Sequence, residues 1–388
     1  MIDYPTKKLE EAVYFQEGPG LRTFQFKSAG IKVINVANVR DGFLNLFTTK
    51  FLDPDEVSQK YKHFLVNEND ILVSTSGTIG RVALVTKKDL PLMLNTSIVR
   101  FHTLDENRLL NKFLFYFLGS HTFINELLKY KTGVAIFNVG PSHIKKIKIS
   151  LPSLEIQKQI VERLDKIAEA QKLNDELIQK TNELFQSLLH KKLNPASKDW
   201  GVKKIKDVAT VGNGGTPSTK NQKYWNGKIL WLTPKELSGF EDMEIFDTER
   251  KISDHGLNHS SAALFPTGTV LFTSRAPIGY IVIAGVPMAT NQGFKNFVCD
   301  SKQLNNKFLY FFLRLKKKYL QSLGRGATFT EISKTIIEKV EIPLPPLGIQ
   351  KQIVAKLSAV QDYKKQLLWQ KTKLKELFDS VLAKSMKG

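Results

Sequence analysis

Two long stretches of the chain place apolar residues at alternating steps of four and three, which is the spacing of a coiled-coil seam. Both seams are apolar at their ends and polar at their centres, where polar residues cost stability but help to fix register. We therefore predict that the two helices pair with each other. The first seam consists of Ile160, Leu164, Ile167, Gln171, Asn174, Ile178, Thr181, Phe185 and Leu188. The second, 193 positions later, consists of Ile353, Leu357, Val360, Lys364, Leu367, Lys371, Leu374, Phe378 and Val381.

The sequence around these helices also repeats. Residues 151–161 read LPSLEIQKQIV and residues 344–354 read LPPLGIQKQIV. Residues 71–80 (ILVSTSGTIG) correspond to residues 270–279 (VLFTSRAPIG), and residues 111–117 (NKFLFYF) correspond to residues 306–312 (NKFLYFF). Similarity at a nearly constant offset indicates an internal duplication. Residues 18–49 and 212–244 share little, so the two copies have a common scaffold and different intervening surfaces.

Each copy begins with a globular segment of mixed pattern. Residues 31–36 and 82–85 favour strands in the first copy, and residues 270–272 and 281–284 do so in the second. Apolar residues at helical spacing predict one helix near residues 109–128 and one near residues 307–323. The predicted fold class is α+β. The predicted organisation is a globular segment at 1–150, a helix at 151–193, a linker at 194–199, a second globular segment at 200–343 and a helix at 344–388.

The direction of the helix pair follows from chain connectivity. The six linker residues reach at most about 20 Å, whereas a helix of roughly 38 residues is about 57 Å long. The second globular segment must therefore begin near the far end of the first helix. We predict an antiparallel pair, with Leu164 near Phe378 and Phe185 near Leu357, which gives the direct repeat a pseudo-twofold arrangement.

Composition narrows the functional classes. Lys and Arg total 57 against 37 Asp and Glu, so the formal net charge is +20. Such an excess favours a polyanionic partner. Cys299 is the single cysteine, which excludes a disulfide framework and a thiolate zinc site. The start MIDYPTKK has no apolar signal core, and no apolar run reaches the roughly 20 residues of a membrane span. We expect a cytoplasmic protein, disordered only at residues 194–199 and 384–388.

Motifs of enzymatic chemistry do not stand out in the sequence. The glycine cluster at residues 212–217 lacks the lysine of a phosphate-binding loop and is interpreted as an ordinary loop. His255 and His259 lack the glutamate of a zinc protease, and Gly256 argues against a helix there, so a surface loop is predicted. Neither a nucleophile elbow nor the Asn-Pro-Pro-aromatic motif of amino-methyltransferases occurs. A duplicated basic protein of this kind is suited to recognition.

The chain resembles the specificity subunit of type I restriction-modification systems over essentially its whole length. The resemblance rests on the repeated LPxLxIQ boxes at Leu151 and Leu344, the helices that follow them, and residues 272–279, 291–293 and 326–333 of the second copy. The first copy departs from this pattern. GVAIFN at residues 133–138 replaces the Gly-Ala-Thr-Phe form, and NTS at residues 95–97 replaces Asn-Gln-Gly.

The resemblance implies two target-recognition domains, each reading one half of a split, asymmetric DNA sequence, with the coiled coil setting the spacing. It implies a non-catalytic subunit without cofactors of its own. Two modification subunits would bind S-adenosylmethionine and methylate adenine. In the larger complex two restriction subunits would use ATP and magnesium. Double-stranded DNA would be the common partner, and a membrane would not be.

Base reading needs directional donors and acceptors, while Lys and Arg hold phosphates. Equivalent turns at residues 74–78 and 274–277 are favoured as contacts, with Gly80 and Gly279 as turn glycines. In the first domain the predicted DNA contacts are Arg22, Arg40, Ser74, Thr75, Ser76, Arg81, Asn95 and Lys131. In the second they are Lys220, Lys223, Tyr224, Lys235, Ser274, Arg275, Asn291, Gln292 and Arg325.

Two other classes of function remain open on the sequence. One is a structural coiled-coil adaptor whose basic charge is incidental. The other is a fused nuclease or methyltransferase with a cryptic site, which the missing motifs disfavour. The sequence determines neither the DNA target nor whether the complex cleaves or only methylates DNA.

Overall fold

The computed structural model describes residues 4–129, 140–193, 200–275, 277–324 and 331–386. It divides into two compact units. Unit 1 contains the described residues up to Asp175 and those from Trp369 onward, and unit 2 is Glu176–Leu368. Each long helix is therefore shared between the units, with the division falling inside the helix. Along the described residues no helix is both long enough and apolar enough to cross a membrane.

Unit 1 is built on an antiparallel sheet in the order β2-β8-β5-β6, in which Phe15 lies opposite Phe101. A smaller sheet has the order β4-β3-β7, and β1 pairs with β9. The continuous apolar run Ile71–Val73 is buried on both faces of the sheet, and Ser74 at the end of β5 is buried as well. The strands are β1 (Thr6–Lys8), β2 (Val13–Glu17), β3 (Ile31–Val33), β4 (Lys50–Leu52), β5 (Ile71–Ser74), β6 (Val82–Leu84), β7 (Leu92–Met93), β8 (Ile98–Thr103) and β9 (Lys148–Ser150).

The single helix predicted near residues 109–128 is in fact two helices. The chain breaks at Gly119, and the hydroxyl of Ser120 accepts a hydrogen bond from the Phe123 amide at 3.3 Å, which caps the second helix. Serine favours a helix amino terminus for this reason. The α-helices of unit 1 are α1 (Pro54–Glu56), α2 (Asn111–Leu118), α3 (His121–Leu128), α4 (Pro141–Ile144), the first part of α5 (Leu154–Leu193) and the last part of α10 (Leu347–Met386).

The core of unit 1 joins the globular part to both long helices. Leu164, from the amino-terminal half of α5, belongs to the same buried cluster as Leu382 and Met386 from the carboxyl end of the second long helix, and Phe378 packs against this cluster. The Gln171 side-chain amide donates to the Leu374 carbonyl at 3.1 Å. The early part of one helix thus packs on the late part of the other, which confirms the antiparallel prediction.

Unit 2 repeats the architecture, with a sheet in the order β11-β19-β16-β17-β13 and a second sheet in the order β14-β12-β18-β15. The β10-β20 pair corresponds to the β1-β9 pair. Its strands are β10 (Val202–Lys204), β11 (Ala209–Asn213), β12 (Trp225–Leu232), β13 (Glu244–Ile245), β14 (Lys251–Ile252), β15 (Leu264–Phe265), β16 (Val270–Thr273), β17 (Ile281–Ala284), β18 (Met288–Thr290), β19 (Phe294–Cys299) and β20 (Glu341–Pro343).

The surface loop predicted around His255 and His259 is a short helix, so that expectation was wrong. The Ser253 hydroxyl accepts from the Gly256 amide at 3.0 Å and begins the helix. Gly256 is needed for close packing, because a β-carbon there would lie 2.4 Å from the Tyr224 carbonyl oxygen. The helices of unit 2 are the rest of α5, α6 (Asp254–Asn258), α7 (Asn306–Leu315), α8 (Lys317–Ser322), α9 (Lys334–Glu338) and the first part of α10 (Leu347–Met386).

The core of unit 2 combines the other halves of the long helices. Phe185 of α5 and Leu357 of α10 lie in one buried cluster, as predicted. The segment predicted to be disordered from residue 384 continues α10 through Met386, whose side chain is buried. The predicted linker at 194–199 lies outside the described residues.

The glutamine of each LPxLxIQ box has the same structural role in both copies. Gln157 is fully buried, accepts from the Leu110 amide at 2.9 Å and donates to the Arg108 and Pro152 carbonyls. Gln350 is also fully buried and accepts from the Asn305 amide at 2.8 Å, while donating to carbonyls of residues 303 and 345. Because an unsatisfied buried polar group is costly, each glutamine fixes one long helix to its own globular part.

Candidate nucleic-acid interface

A tight turn follows β5 in unit 1. The Ser74 hydroxyl donates to the Thr78 carbonyl at 2.5 Å and accepts from the Arg81 amide at 3.1 Å. Gly80 has a positive φ of 82°, which glycine adopts without steric cost. The side chain of Ser74 is completely buried, so its hydroxyl closes the turn.

Unit 2 has the same turn after β16. The Thr273 hydroxyl donates to the Pro277 carbonyl at 2.7 Å and accepts from the Gly279 amide at 3.1 Å. Gly279 has a φ of 102°. Thr273 is therefore the counterpart of Ser74, and Ser274 corresponds to Thr75.

Burial divides the predicted contacts of these turns into two groups. Ser74, Thr75 and Ser274 are fully buried, and the Ser274 hydroxyl donates to the Gly293 carbonyl at 3.1 Å. Ser74 and Ser274 hold backbone groups beside the turns through their hydroxyls, whereas the Thr75 hydroxyl is buried without a hydrogen-bond partner among the described residues. The side chains that reach solvent are Ser76 and Arg275, which occupy equivalent positions. The two turns thus share a backbone scaffold but expose different side chains at the equivalent position, a serine in unit 1 and an arginine in unit 2.

Three segments of unit 1 converge beside the turn after β5. The Gly18 amide donates to the Ile98 carbonyl at 3.2 Å, and the Gly42 amide donates to the Val82 carbonyl at 2.8 Å. These contacts bring the predicted residues of unit 1 to one end of the sheet. Arg22 is exposed, while Arg40, Arg81 and Asn95 are half-buried. Lys131 lies outside the described residues.

The corresponding region of unit 2 is held together by backbone hydrogen bonds. The Ser274 amide donates to the Gly293 carbonyl at 2.8 Å, and the Asn291 amide donates to the Leu232 carbonyl at 3.0 Å. The Thr216 hydroxyl donates to the side-chain oxygen of Gln292. The result places Lys235, Arg275, Asn291 and Gln292 on neighbouring segments, with Lys235 and Gln292 exposed. Arg325 lies outside the described residues.

Arg275 shares a carboxylate with a buried lysine. Its Nη1 lies 3.6 Å from Glu331 Oε2, and Lys295 Nζ lies 3.2 Å from Glu331 Oε1. Lys295 is only 4% exposed, so the carboxylate compensates a nearly buried charge. The two cations and one anion leave an excess positive charge beside the turn.

The predicted residues Lys220, Lys223 and Tyr224 lie on the segment that leads into β12, and both lysines are exposed. The Tyr224 ring centroid lies 5.3 Å from that of His255, and the two imidazole centroids are 4.0 Å apart. Sequence reasoning treated the histidines only as candidate metal ligands and did not place them beside Tyr224.

Sequence reasoning also missed Arg250 and the exposed phenylalanines of unit 1. Arg250 lies over the ring of Trp225, with 3.8 Å between its Cζ and the ring centroid. Phe47 is 94% exposed and Phe43 is 58% exposed. Residues 43–47 read FLNLF, and because four of the five are apolar, this pattern carried no signal that the phenylalanines face outward and the leucines inward.

Metal and thiol chemistry have little support from the described side chains. Across the part of the chain that the structure describes, no group of three His, Cys, Asp or Glu side chains is placed to hold a metal ion. Burial raises the pKa of the Cys299 thiol to about 12. The thiol is therefore protonated at neutral pH and is a poor nucleophile.

Comparison with known proteins identifies the family of the chain. The family model described as the type I restriction modification DNA specificity domain matches the chain twice, over residues 2–183 and 197–376. The chain belongs to this family. Each match covers one copy of the duplication, so family membership applies to both copies.

Two curated relatives come from Methanocaldococcus jannaschii. The chain is 40% identical over 193 residues to the type I restriction enzyme MjaIX specificity subunit, a match that covers 49% of this chain and 44% of that protein. It is 24% identical over 380 residues to the putative type I restriction enzyme MjaX specificity subunit, covering 92% of this chain and 85% of that one. The stronger match thus spans less than half of the relative.

The fold is similar to that of a solved structure, the HsdS subunit from Thermoanaerobacter tengcongensis. The TM-score is 0.56 at 19% identity, and the superposition covers 100% of this chain and 97% of that chain. At this level of identity the likeness shows a common fold.

Proposed function

We propose that the chain is the non-catalytic subunit that gives a type I restriction-modification complex its DNA sequence specificity. Each unit reads one half of a split, asymmetric target. The observation that carries the proposal is the duplicated turn, in which the same hydroxyl-closed scaffold presents Ser76 in one unit and Arg275 in the other. One scaffold with two different reading surfaces fits a target with two different halves.

The charge of the chain supports duplex DNA as the ligand. The formal net charge is +20, Arg81 directly follows the turn of unit 1, and Arg275 and Lys295 lie at the turn of unit 2. Phosphate contacts of this kind position a protein on DNA, and side chains that reach base edges supply the specificity. The long helices, of 40 residues each, would set the gap between the two half-sites.

The same proposal includes two modification subunits, one for each copy of the repeat, and two restriction subunits in the full complex. S-adenosylmethionine would bind to the modification subunits, and ATP and magnesium to the restriction subunits, so no cofactor is assigned to this chain. Exposed apolar side chains on the long helices support docking of partner subunits: Leu377 and Trp369 belong to unit 1, and Leu184 and Tyr363 to unit 2. Leu184 and Tyr363 line one apolar depression of unit 2 together with Leu177, and exposed apolar patches mark protein interfaces.

Mapping of methylated adenines tests the proposal. The chain is co-expressed with its modification subunit in a host that lacks adenine methylation, and the genome is sequenced for modified bases. We expect a motif of two short, different halves separated by a gap of fixed length. An adaptor without DNA specificity would leave methylation without such a motif. Methylation by the chain alone would instead indicate an enzyme.

Salt dependence of binding to a random duplex separates recognition from incidental charge. We expect the logarithm of the affinity to fall linearly and steeply with the logarithm of salt concentration. A flat dependence would exclude phosphate neutralisation and favour the adaptor.

A further inference from the structure

An irregularity in β12 places two tryptophans side by side. Trp225 and Ile229 both lie opposite Ile252 of β14, so the three residues between them bulge out of the strand. Asn226 in this bulge has a φ of 60°, and a β-carbon on Gly227 would lie 2.4 Å from the Ile252 carbonyl oxygen. Bulges reorient side chains and are frequent beside functional sites. Here the bulge places the Trp225 ring edge to face with the Trp231 ring, with 5.0 Å between the ring centroids.

Hydrogen bonds fix both indoles. The Trp231 Nε1 donates to the Gly215 carbonyl at 2.9 Å, and the Trp225 Nε1 donates to the Ser218 carbonyl at 3.1 Å. Trp231 is only 2% exposed. The two rings therefore form a rigid surface, which we call the tryptophan shelf.

Arg250 rests on the tryptophan shelf with its charge unpaired. Its Cζ lies 3.8 Å from the Trp225 ring centroid and 5.1 Å from that of Trp231, a cation-π geometry. The side chain is exposed. Within the described residues its guanidinium makes no hydrogen bond or ion pair. The nearby Asp247 instead pairs with Lys251 at 3.2 Å. Contact with two fixed rings restricts the guanidinium, and its forked donors stay available to a ligand.

The shelf is connected to the predicted reading surface of unit 2. The segment that accepts both indole N–H groups also contains Thr216, whose hydroxyl donates to Gln292. In addition, the Gly215 amide donates to the Thr290 carbonyl at 2.9 Å, next to Asn291. Arg250 therefore rests on rings whose N–H groups bond to a segment tied to residues already predicted to contact DNA.

We infer that Arg250 reads a guanine in the half-site recognised by unit 2, through paired hydrogen bonds to the major-groove edge of the base. This inference rests on the proposed function. A phosphate anchor needs charge alone, and exposed lysines at 220, 223 and 228 already supply it. An oriented, stacked guanidinium supplies direction, which is the property that bidentate recognition of guanine O6 and N7 requires.

Substitution of Arg250 combined with mapping of methylated adenines tests the inference. Arg250→Lys keeps the charge and loses the planar fork. We expect one G·C position of a single half-site to become degenerate, with discrimination falling roughly 5- to 150-fold, and the other half-site to stay unchanged. Trp225→Ala should relax the same position, and Trp225→Phe, which keeps an aromatic face, should restore it.

Arg314→Lys is the matched control, because Arg314 is also stacked on aromatic rings of unit 2. It lies 5.1 Å from the Phe185 ring, but it donates a hydrogen bond to the Tyr310 hydroxyl at 3.0 Å and so already has a partner. This variant should leave the motif intact.

Three results would overturn the inference. An unchanged motif in Arg250→Lys and Arg250→Ala would remove Arg250 from base reading. Uniform loss of methylation with the motif intact would make it a phosphate contact. Relaxation in both half-sites would show that it acts through the fold. In each case the wild-type split motif would still support the proposed function, whereas its absence in the wild type would overturn that function itself.

Discussion

The ring of Tyr116, on α2 of unit 1, packs against the ring of Phe378 on α10, with centroids 6.0 Å apart and planes at 60°. The repeat-related contact in unit 2 joins Phe311 of α7 to Phe185 of α5, at 6.1 Å and 55°. Each globular part thus packs not only on the long helix that follows it but also on the long helix of the other copy. The two copies, which follow one another in the sequence, are therefore interlocked in the structure, because each contributes part of its long helix to the core of the other.

These paired contacts predict local destabilisation. Phe378→Ala should lower the free energy of unfolding by about 3 kcal/mol, the lower end for a phenylalanine, because its ring is only partly buried. Amide hydrogen exchange should then show faster exchange in α2. Phe185→Ala is the matched variant and should loosen α7 instead. Faster exchange of α7 in Phe378→Ala, with α2 unaffected, would contradict the exchanged packing.

Leu184 and Leu377 occupy equivalent positions in the two copies and are 51% and 48% exposed. If each copy docks one modification subunit, Leu184→Glu or Leu377→Glu should leave the thermal melting temperature unchanged and reduce the bound subunits from two to one. Native mass spectrometry measures this stoichiometry. Leu104→Glu, at a position that is 58% exposed outside the long helices, is the control. Full occupancy in both helix variants would exclude these leucines from the interface.

Glu331 compensates the nearly buried charge of Lys295. Glu331→Ala should therefore destabilise unit 2 by about 1–3 kcal/mol, because the ammonium loses its partner. The double variant with Lys295→Met should regain most of this loss, since it removes the charge as well. Chemical denaturation measures both. A double variant no more stable than Glu331→Ala would show that the pair is not what stabilises this region.

Lys223 is predicted to contact a phosphate. Lys223→Ala should reduce the slope of log affinity against log salt concentration by about 0.9. The loss should be equal for the mapped target and a random duplex, because phosphates carry no sequence information. Lys191→Ala, which removes an exposed lysine at the end of α5, is the control. An effect confined to the mapped target would assign Lys223 to base reading.

Cys299 provides a prediction about pH. Burial raises the pKa of its thiol from 9.0 to about 12, so the folded state holds the proton more tightly than the unfolded state. Its contribution to stability is complete below pH 9 and is lost as the pH rises towards 12. The stability difference between the wild type and Cys299→Val should therefore be constant up to pH 9 and change above it. Rapid reaction of the native thiol with a disulfide reagent at pH 8 would contradict a half-buried thiol with a raised pKa.

The duplication, the two long helices and their antiparallel pairing were all predicted from the amino-acid pattern alone. These features rest on periodicity and chain length, which are local properties: a seam residue recurs every three or four positions wherever the helix lies. The short linker then limited where the second globular part could begin. The strand at Ile281–Ala284 was likewise predicted from its continuous apolar run.

The roles of the polar loop residues, in contrast, became clear from the three-dimensional fold. The sequence favoured Ser74 and Ser274 as DNA contacts, but both are buried and bonded to backbone carbonyls that folding brings near. Gly256 was expected to break a helix and instead allows one to pack closely on Tyr224. The tryptophan shelf under Arg250 depends on a bulge and on hydrogen bonds to a distant segment. Such roles are set by contacts between residues far apart in sequence, and local pattern carries no information about them.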